Sequence, residues 1–268
     1  MEPIKIQSVL DFQKKKQAGQ KITMVTCYDS WSAKLLDQSR VDAILIGDSV
    51  AMVQHGHKNT LPATTNLMAL HCQAVVRGAP NQFLVGDLPF MSYRKSFASS
   101  VKAAETLMRT GVQSVKLEGA DGNLELIKHL VQSGIPVMGH IGLTPQAIFQ
   151  MGGFRVQGKN PEAAEHLKRQ ASGLEDAGCF SVVLECVPSS LAEQITQSLT
   201  IPTIGIGAGA GTDGQILVLH DLLGLNTEFR PKFVRTYLNG AELIQKAVDA
   251  YVDDVEKQTF PSPKESYT

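Results

Sequence analysis

The sequence predicts an α/β protein of the (β/α)8, or TIM-barrel, class, in a single domain of 268 residues with a short N-terminal helix. Short apolar runs rich in Ile and Val, bounded by turn residues, recur along the chain, as is typical of strands buried on both faces of a parallel sheet. Helical patterns separate most of these runs, which is the alternation expected of βα units. The predicted strands are 21–28, 41–49, 83–88, 114–118, 135–141, 179–187, 201–206 and 215–220.

Capping and periodicity signals place the helices. Ser8 is a good N-cap residue and Gly19 ends the pattern, so 8–17 is predicted as a helix within an N-terminal extension of residues 1–20. An open doubly wound sheet is the alternative architecture, but the glycine loop expected after its first strand is replaced by Asp29-Ser30-Trp31. The long glycine-rich connection 142–158 is predicted to be partly ordered over the barrel mouth. The other predicted helices are 31–40, 64–77, 96–110, 123–132, 161–177, 189–199 and 241–255, followed by a flexible tail, 259–268.

Composition excludes several functional classes. The formal net charge of -1 gives no electrostatic reason to expect a nucleic acid or an anionic membrane as partner. The apolar core of a signal peptide is missing from the N-terminus, and no apolar run is long enough to span a membrane. We therefore expect a cytoplasmic protein. Four cysteines without CxxC spacing predict buried free thiols in a reduced compartment: Cys27, Cys72, Cys179 and Cys186.

Polar side chains follow the predicted strands, at the end of the barrel where this fold class carries its chemistry. They are Asp29, Asp48, Ser49, Asp87, Lys116, Glu118, His140, Glu185 and Asp221. Carboxylates from three strands converge without enough His or Cys for a zinc site, which favours a hard cation with oxygen ligands, Mg²⁺ by default. Such an ion would polarise a carbonyl and stabilise an enolate. Lys116 points to the same side of its strand as Glu118, where it could neutralise an anionic substrate.

Several of these residues also have a purely structural interpretation. Asp29 and Asp48 could each cap the helix that follows. Glu185 could be a general base or one half of a buried salt bridge, and His140 could bind substrate or be a satisfied core histidine. The glycine run 205–211 follows a late strand without the partner acid of a dinucleotide site, so it favours a small-residue turn beside substrate.

Seven stretches of the sequence carry a family pattern, and together they are far more specific than any short motif. They are TCYDS (26–30), GDSVAMVQHGHKNTLPAT (47–64), VGDLPFMSY (85–93), VKLEG (115–119), GHIGLTPQAIFQMGGFRVQGK (139–159), LECVP (184–188) and IGIGAGAGTDGQILVLHDLLG (204–224). On these stretches the chain resembles the ketopantoate hydroxymethyltransferase (3-methyl-2-oxobutanoate hydroxymethyltransferase) family, over about residues 22–237.

The resemblance implies a (β/α)8 barrel that transfers a hydroxymethyl group from 5,10-methylenetetrahydrofolate to α-ketoisovalerate (3-methyl-2-oxobutanoate). The product would be ketopantoate, in the first step of pantothenate synthesis, formed through an enolate stabilised by Mg²⁺. The resemblance makes Glu185 the proton acceptor, with His140 and Lys116 as further catalytic residues. It also implies a homo-oligomer, a decamer, with one Mg²⁺ per subunit.

The same resemblance divides the remaining strand-end residues between metal and substrate. It places Mg²⁺ at Asp48, Asp87 and Glu118. It assigns contacts with the keto acid to Asp48, Ser49, Asp87 and Lys116. These assignments agree with the chemistry of the residues. A 2-keto acid that chelates the metal through its carboxylate and keto oxygens has an acidified proton at C3.

The residues alone leave two other functions possible. Another Mg²⁺-dependent 2-oxo-acid lyase or mutase, of the phosphoenolpyruvate mutase and isocitrate lyase type, would share the barrel, the metal acids and the enolate. Those enzymes would add a catalytic cysteine loop of KKCGH type, which this sequence lacks. A catalytically silent barrel acting as a binding or scaffold protein is the other alternative, and the presence of Lys116 and Glu185 speaks against it. Folate as the donor rests on the resemblance alone.

Overall fold

A closed barrel of eight parallel strands forms the core of the first of two compact units, which ends at Val218. The computed structural model describes residues 3–228 and 231–267. The strands are paired in chain order, and the barrel closes where Ile22–Val25 of the first strand pairs with Gly214–Leu217 of the last. The predicted fold class is confirmed. The strands are β1 Ile22–Thr26, β2 Ala43–Ile46, β3 Phe83–Asp87, β4 Ser114–Glu118, β5 Val137–Gly142, β6 Ser181–Glu185, β7 Thr203–Ile206 and β8 Gly214–Leu217.

Helices follow most strands, as the apolar periodicity predicts. A short helix, Val50–Val53, follows β2 in a stretch where the sequence predicts no helix. A 3-10 turn, Pro145–Ala147, gives partial order to the 142–158 connection. The helices of this unit are α1 Val9–Gln17, α2 Ser30–Asp37, α3 Val50–Val53, α4 Thr65–Gly78, α5 Phe97–Met108, α6 Leu124–Gln132, α7 Pro161–Asp176 and α8 Ser189–Ser198.

The last predicted strand, 215–220, is partly wrong. The observed strand β8 ends at Leu217, and His220 and Asp221 belong to a short helix, α9 Leu219–Leu222. A short apolar run does not by itself distinguish a strand from a buried helical turn, and here the run covers the end of one and the start of the other. Asp221 is therefore not a strand-end residue.

Side chains that point into the barrel form a core of their own, which α1 completes. Ile22, Met24, Leu45, Val85, Met138, Val183, Ile204 and Ile216 are buried in this cluster. Phe12 of α1 is fully buried with them, and its ring centroid lies 5.2 Å from that of Phe83 and 5.1 Å from that of Phe180, both edge-on. The N-terminal helix thus closes the end of the barrel opposite the strand C-termini.

Two lysines of α1 anchor the helix to the barrel. Lys15 pairs with Asp42, which also accepts a hydrogen bond from the main-chain N–H of Thr23 at 2.8 Å. Lys16 Nζ lies 2.9 Å from Asp213 and donates to the carbonyl oxygen of Thr196 at 2.8 Å. Because these contacts join α1 to three separate segments of the barrel unit, the predicted N-terminal extension is an integral part of the fold.

The second unit begins at Leu219 and contains α9 and a longer helix, α10 Gly240–Glu256. A 3-10 turn, Pro263–Glu265, lies in the segment predicted as a flexible tail, and Thr268 and the first two residues of the chain lie outside the described residues. That the whole chain is one domain stays a prediction. Among residues 3–228 and 231–267, no helix is long and apolar enough to cross a membrane.

Candidate active site at the barrel rim

Five consecutive strands bring the predicted site residues to one rim of the barrel. Asp87, Glu118 and Glu185 are the last residues of β3, β4 and β6, and Asp48 follows β2 by two residues. The strand register sets Asp87 beside Lys116 and Glu118 beside His140. Each strand is buried because its apolar residues face the core on both sides, so the polar side chains at its end have fixed positions.

Lys116 and His140 connect the carboxyl groups of Asp87, Glu118 and Glu185 into one network. Lys116 Nζ lies 2.8 Å from Asp87 Oδ1 and 3.9 Å from Glu118 Oε1. His140 Nδ1 lies 3.5 Å from Glu118 Oε1, and His140 Nε2 lies 3.3 Å from Glu185 Oε2. The side chain of Glu185 is 16% exposed, against 3% for that of Glu118, so Glu185 is the carboxylate that a substrate reaches most directly.

Burial and neighbouring charges set the protonation of this network. Burial raises the pKa of Asp48 well above its usual range, and the charges of Asp87 and Glu118 act in the same direction. Burial also disfavours ionised Glu118, but His140 and Lys116 outweigh it and hold the pKa of Glu118 below its usual range. Burial and the adjacent Lys116 oppose protonation of His140, yet Glu118 and Glu185 raise its pKa to about 9. His140 is therefore cationic at neutral pH.

The donor set fits a hard divalent cation. Within the described residues, no three His, Cys, Asp or Glu side chains converge as a ready-made ligand set for a metal ion. Mg²⁺ does not require one, because it keeps several waters and is held by one or two carboxylates together with substrate oxygens. Burial raises the pKa of Asp87 as well as that of Asp48, so a bound cation would favour the ionised form of both carboxyl groups. The carboxylates that could hold the ion, directly or through water, are Asp48, Asp87 and Glu118.

Three further predicted residues have distinct positions. Ser49 lies beside Asp48, and its Oγ is 2.8 Å from the hydroxyl oxygen of Tyr28. Asp29 caps α2, since its Oδ1 accepts a hydrogen bond from the N–H of Ser32 at 2.9 Å, so the structural interpretation of Asp29 is the correct one. Asp221 belongs to the second unit and is not among the residues that the barrel brings together.

Gln146 and Tyr93 belong to the site although the strand-end pattern did not identify them. Gln146 is 5% exposed and donates a side-chain hydrogen bond to Asp48 Oδ2 at 2.8 Å, while its main-chain N–H donates to Glu118 Oε2 at 3.0 Å. The hydroxyl of Tyr93 donates to Gln146 Oε1 at 2.7 Å. Both residues lie in connections after strands, where sequence periodicity carries no signal. Their presence in two of the family-like stretches is the one available hint.

The backbone around Glu185 is tightly constrained. Gly142, at the end of β5, has φ +95°, and a Cβ atom there would lie 2.3 Å from the carbonyl oxygen of Glu185. Cys186 has φ 48°, an uncommon conformation for a residue with a side chain, and it accepts a hydrogen bond from the N–H of Gln157 at 2.8 Å. The predicted burial of the thiols is correct for Cys27, Cys72 and Cys179, whereas Cys186 is half-buried. The connection after β5 thus helps to orient Glu185.

A cleft of about 780 Å³ opens beside Glu118 and Gln146. Its walls carry exposed aromatic side chains, Phe149 at 78% and Phe90 at 42% exposure, and the guanidinium of Arg94. Arg94 donates to the carbonyl oxygen of Asp121 at 3.2 Å. Its lining combines apolar side chains with many polar and charged ones, and its volume lies in the range of sites for drug-sized organic molecules.

Comparison with known sequences identifies the family to which this chain belongs. The sequence model described as ketopantoate hydroxymethyltransferase matches residues 7–263. A 3-methyl-2-oxobutanoate hydroxymethyltransferase of Coxiella burnetii is 60% identical over 252 residues, which are 94% of this chain and 95% of the relative. The enzyme of the same name from Bdellovibrio bacteriovorus is 54% identical over 263 residues, covering 98% of this chain and 100% of the relative.

Solved structures with the same fold are more distant in sequence. A 2,3-dimethylmalate lyase of the phosphoenolpyruvate mutase and isocitrate lyase superfamily superposes with a TM-score of 0.59 at 18% identity, over 97% of this chain and 93% of the lyase. A phosphoenolpyruvate phosphomutase from Streptomyces platensis gives a TM-score of 0.61 at 11% identity, over 92% of this chain and 88% of the mutase. At such identities the likeness shows the fold alone.

Proposed function

Because the chain belongs to the ketopantoate hydroxymethyltransferase family, we propose that it transfers a hydroxymethyl group from 5,10-methylenetetrahydrofolate to 3-methyl-2-oxobutanoate. The product is ketopantoate, formed in the first step of pantothenate biosynthesis. The observation that carries the proposal is the rim network, in which a partly exposed carboxylate, Glu185, lies beside buried acids and two cationic side chains. This arrangement supplies both a base and a place for an anionic 2-keto acid.

The three buried carboxylates are the residues that would hold Mg²⁺. Asp48, Asp87 and Glu118 provide oxygen donors in a pocket from which burial removes most solvent. When bound, the ion would withdraw electron density from the keto and carboxylate oxygens of the substrate and so acidify the proton at C3. We assign contacts with the keto acid to Asp48, Ser49, Asp87 and Lys116, and the ammonium group of Lys116 would offset the substrate's negative charge.

Glu185 removes the C3 proton. Its carboxylate accepts the proton, and the electrons of the C3–H bond become the carbon–carbon double bond of the enolate. The cationic His140, 3.3 Å from Glu185 Oε2, holds that carboxylate in position. C3 then forms a bond to the methylene carbon of the donor, both carbon–nitrogen bonds of that carbon break, and water supplies the hydroxyl group of the product. The two donor nitrogens take up the proton removed by Glu185 and the proton released by water.

The cleft beside Glu118 is the place we propose for the folate donor. Glu118, one of the proposed metal ligands, and Gln146, which contacts Asp48, both line this cleft. A donor bound there would have its methylene carbon close to C3 of the keto acid. Phe149 and Phe90 offer aromatic surface to a pteridine ring or a p-aminobenzoyl ring, and Arg94 offers positive charge to a carboxylate tail.

We also propose that the enzyme acts in the cytoplasm as a homo-oligomer, a decamer. The support within the chain is α10, on which Leu243, Ile244, Val248 and Tyr251 are each more than half exposed. Large apolar surfaces of this kind mark interaction sites in soluble proteins.

The experiment that tests the reaction follows exchange of the C3 proton of 3-methyl-2-oxobutanoate in D₂O without folate. We expect Mg²⁺-dependent exchange in the parent protein and in the exposed-surface control Glu125→Gln. Glu185→Gln should bind the keto acid but lose exchange, because an amide cannot accept the proton. Unchanged exchange in Glu185→Gln would exclude Glu185 as the base. Absence of exchange in folded parent protein with Mg²⁺ and donor present would exclude the proposed chemistry.

A further inference from the structure

Gln146 is not a strand-end residue, yet it makes hydrogen bonds to two of the carboxylates at the barrel rim. Its side-chain nitrogen donates to Asp48 Oδ2 at 2.8 Å and to the carbonyl oxygen of Leu88 at 3.0 Å. Its main-chain N–H donates to Glu118 Oε2 at 3.0 Å. One residue of the 3-10 turn after β5 therefore holds carboxylates that come from the ends of two other strands, β2 and β4.

The orientation of the Gln146 amide is determined by its neighbours. Both acceptors, Asp48 Oδ2 and the Leu88 carbonyl, face the amide nitrogen, while the hydroxyl of Tyr93 donates to the amide oxygen at 2.7 Å. A flipped amide would set its oxygen against two acceptors, so the contacts with Asp48 and Leu88 decide the orientation and the Tyr93 hydroxyl supports it. Tyr93 is itself buried, 5% exposed, so the hydroxyl that fixes the amide is held in place by packing.

This geometry separates Gln146 from a residue that merely fastens a loop. The three hydrogen bonds that Gln146 donates would hold the 142–158 connection on the barrel. Two of them, to Asp48 and Glu118, also fix the rotation of those carboxylates. Partners that orient metal-binding carboxylates contribute strongly to metal affinity, and their loss typically costs about 10- to 100-fold.

We infer that Gln146 is a positioning residue for the divalent cation, setting the spacing of Asp48 and Glu118, with Tyr93 orienting its amide. The inference rests on the proposed function for the presence of the cation, but no family resemblance or comparison assigns a role to Gln146. It makes the 142–158 connection, rather than the strand ends alone, a determinant of metal binding.

The test measures affinity for Mn²⁺ by electron paramagnetic resonance, with 3-methyl-2-oxobutanoate present and without folate. Gln146→Met keeps the side-chain volume and the main-chain N–H but removes the amide, and we expect it to weaken Mn²⁺ binding roughly tenfold or more. Tyr93→Phe, which leaves the amide without its orienting hydroxyl, should weaken binding in the same direction by a smaller factor. Gln132→Met, an exposed glutamine in α6, is the matched control and should bind like the parent.

The melting temperature and the metal dependence of C3 exchange distinguish positioning from a structural role. Positioning predicts a higher Mg²⁺ requirement for exchange in folded Gln146→Met. A lowered melting temperature with parental Mn²⁺ affinity in both Gln146→Met and Tyr93→Phe would overturn the inference and leave the proposed function intact. Absence of Mn²⁺ binding by the parent protein would overturn the metal site itself and this inference with it.

Discussion

The buried acids of the rim differ in the groups that compensate their charge. Asp87 is paired with Lys116 at 2.8 Å, and Glu118 lies within 3.5 Å of the cationic His140. Asp48 instead accepts a hydrogen bond from a neutral amide, that of Gln146, and burial raises its pKa well above the usual range. Added positive charge therefore relieves most repulsion next to Asp48, which is one of the three carboxylates, with Asp87 and Glu118, at which the family resemblance places the metal.

Asp87→Ala tests this assignment at a single residue. The substitution removes a proposed metal ligand and leaves the buried ammonium of Lys116 without its nearest partner, so we expect Mg²⁺-dependent affinity for 3-methyl-2-oxobutanoate to fall roughly tenfold or more, measured by isothermal titration calorimetry. Asp29→Ala is the matched control, because Asp29 also follows a strand but caps α2. It should cost about 1 kcal/mol of unfolding free energy and leave the affinity unchanged. Parental affinity in Asp87→Ala would remove Asp87 from the site.

Helix α1 closes the barrel because its sequence combines one aromatic anchor with charged residues that reach the barrel wall. Phe12 has no exposed surface, whereas Leu10 of the same helix is 63% exposed. A barrel interior must be filled by side chains at both ends to reach native packing density, and Phe12 fills the end far from the rim.

Phe12→Ala should destabilise the protein by about 3–5 kcal/mol, because it removes a fully buried aromatic ring and leaves a cavity among Phe83 and Phe180. Leu10→Ala, on the exposed face of α1, should change the unfolding free energy by no more than about 0.5 kcal/mol. Chemical denaturation of both variants measures the difference. Equal effects of the two substitutions would show that α1 does not complete the core.

The first turn of α1 makes a pH-dependent contribution to stability. A hydrogen bond from Lys14 at 2.8 Å, together with those from the N–H groups of Gln7 and Ser8, lowers the pKa of Asp11 from 3.8 to about 2, although burial opposes the shift. Because the folded-state pKa is depressed, this contribution is present above pH 3.8 and is lost as the pH falls through about 2. Asp11→Asn should therefore be less stable than the parent at pH 5, with a difference that shrinks toward pH 2. A difference that is constant over this range, in denaturation curves at each pH, would contradict the assignment.

Sequence periodicity predicts the strands and helices well because each has a clear physical signal. The run Ala43–Ile46 is buried, and the N-cap residue Ser8 begins α1 where capping predicts it. Periodicity fails where the apolar run changes structure, as at His220 in α9. It also fails at Gln146, whose role depends on a turn that folds back over two other strands and so cannot be read from local spacing.

At the scale of the whole molecule, the barrel topology turns distant positions into one site. Parallel strands in chain order place the ends of β2 to β6 side by side, so that Asp48 and Glu185 share one network although 137 positions separate them. The second unit is different in character. Its helix α10 has acids along one side and exposed apolar residues along the other: Leu243, Ile244, Val248, Tyr251, Val252 and Val255.

This apolar face of α10 predicts self-association. Burying a Val or Ile side chain contributes about 1.5–3 kcal/mol, so replacing two of them by glutamate should disrupt an interface built on this face. We expect Ile244→Glu with Val248→Glu to reduce the molar mass measured by light scattering from that of the parental oligomer to a smaller species. Asp249→Ala, on the polar side of α10, is the control and should keep the parental mass. A doubly substituted protein of parental mass would show that the subunits associate through a different surface, and a monomeric parent would exclude the proposed decamer.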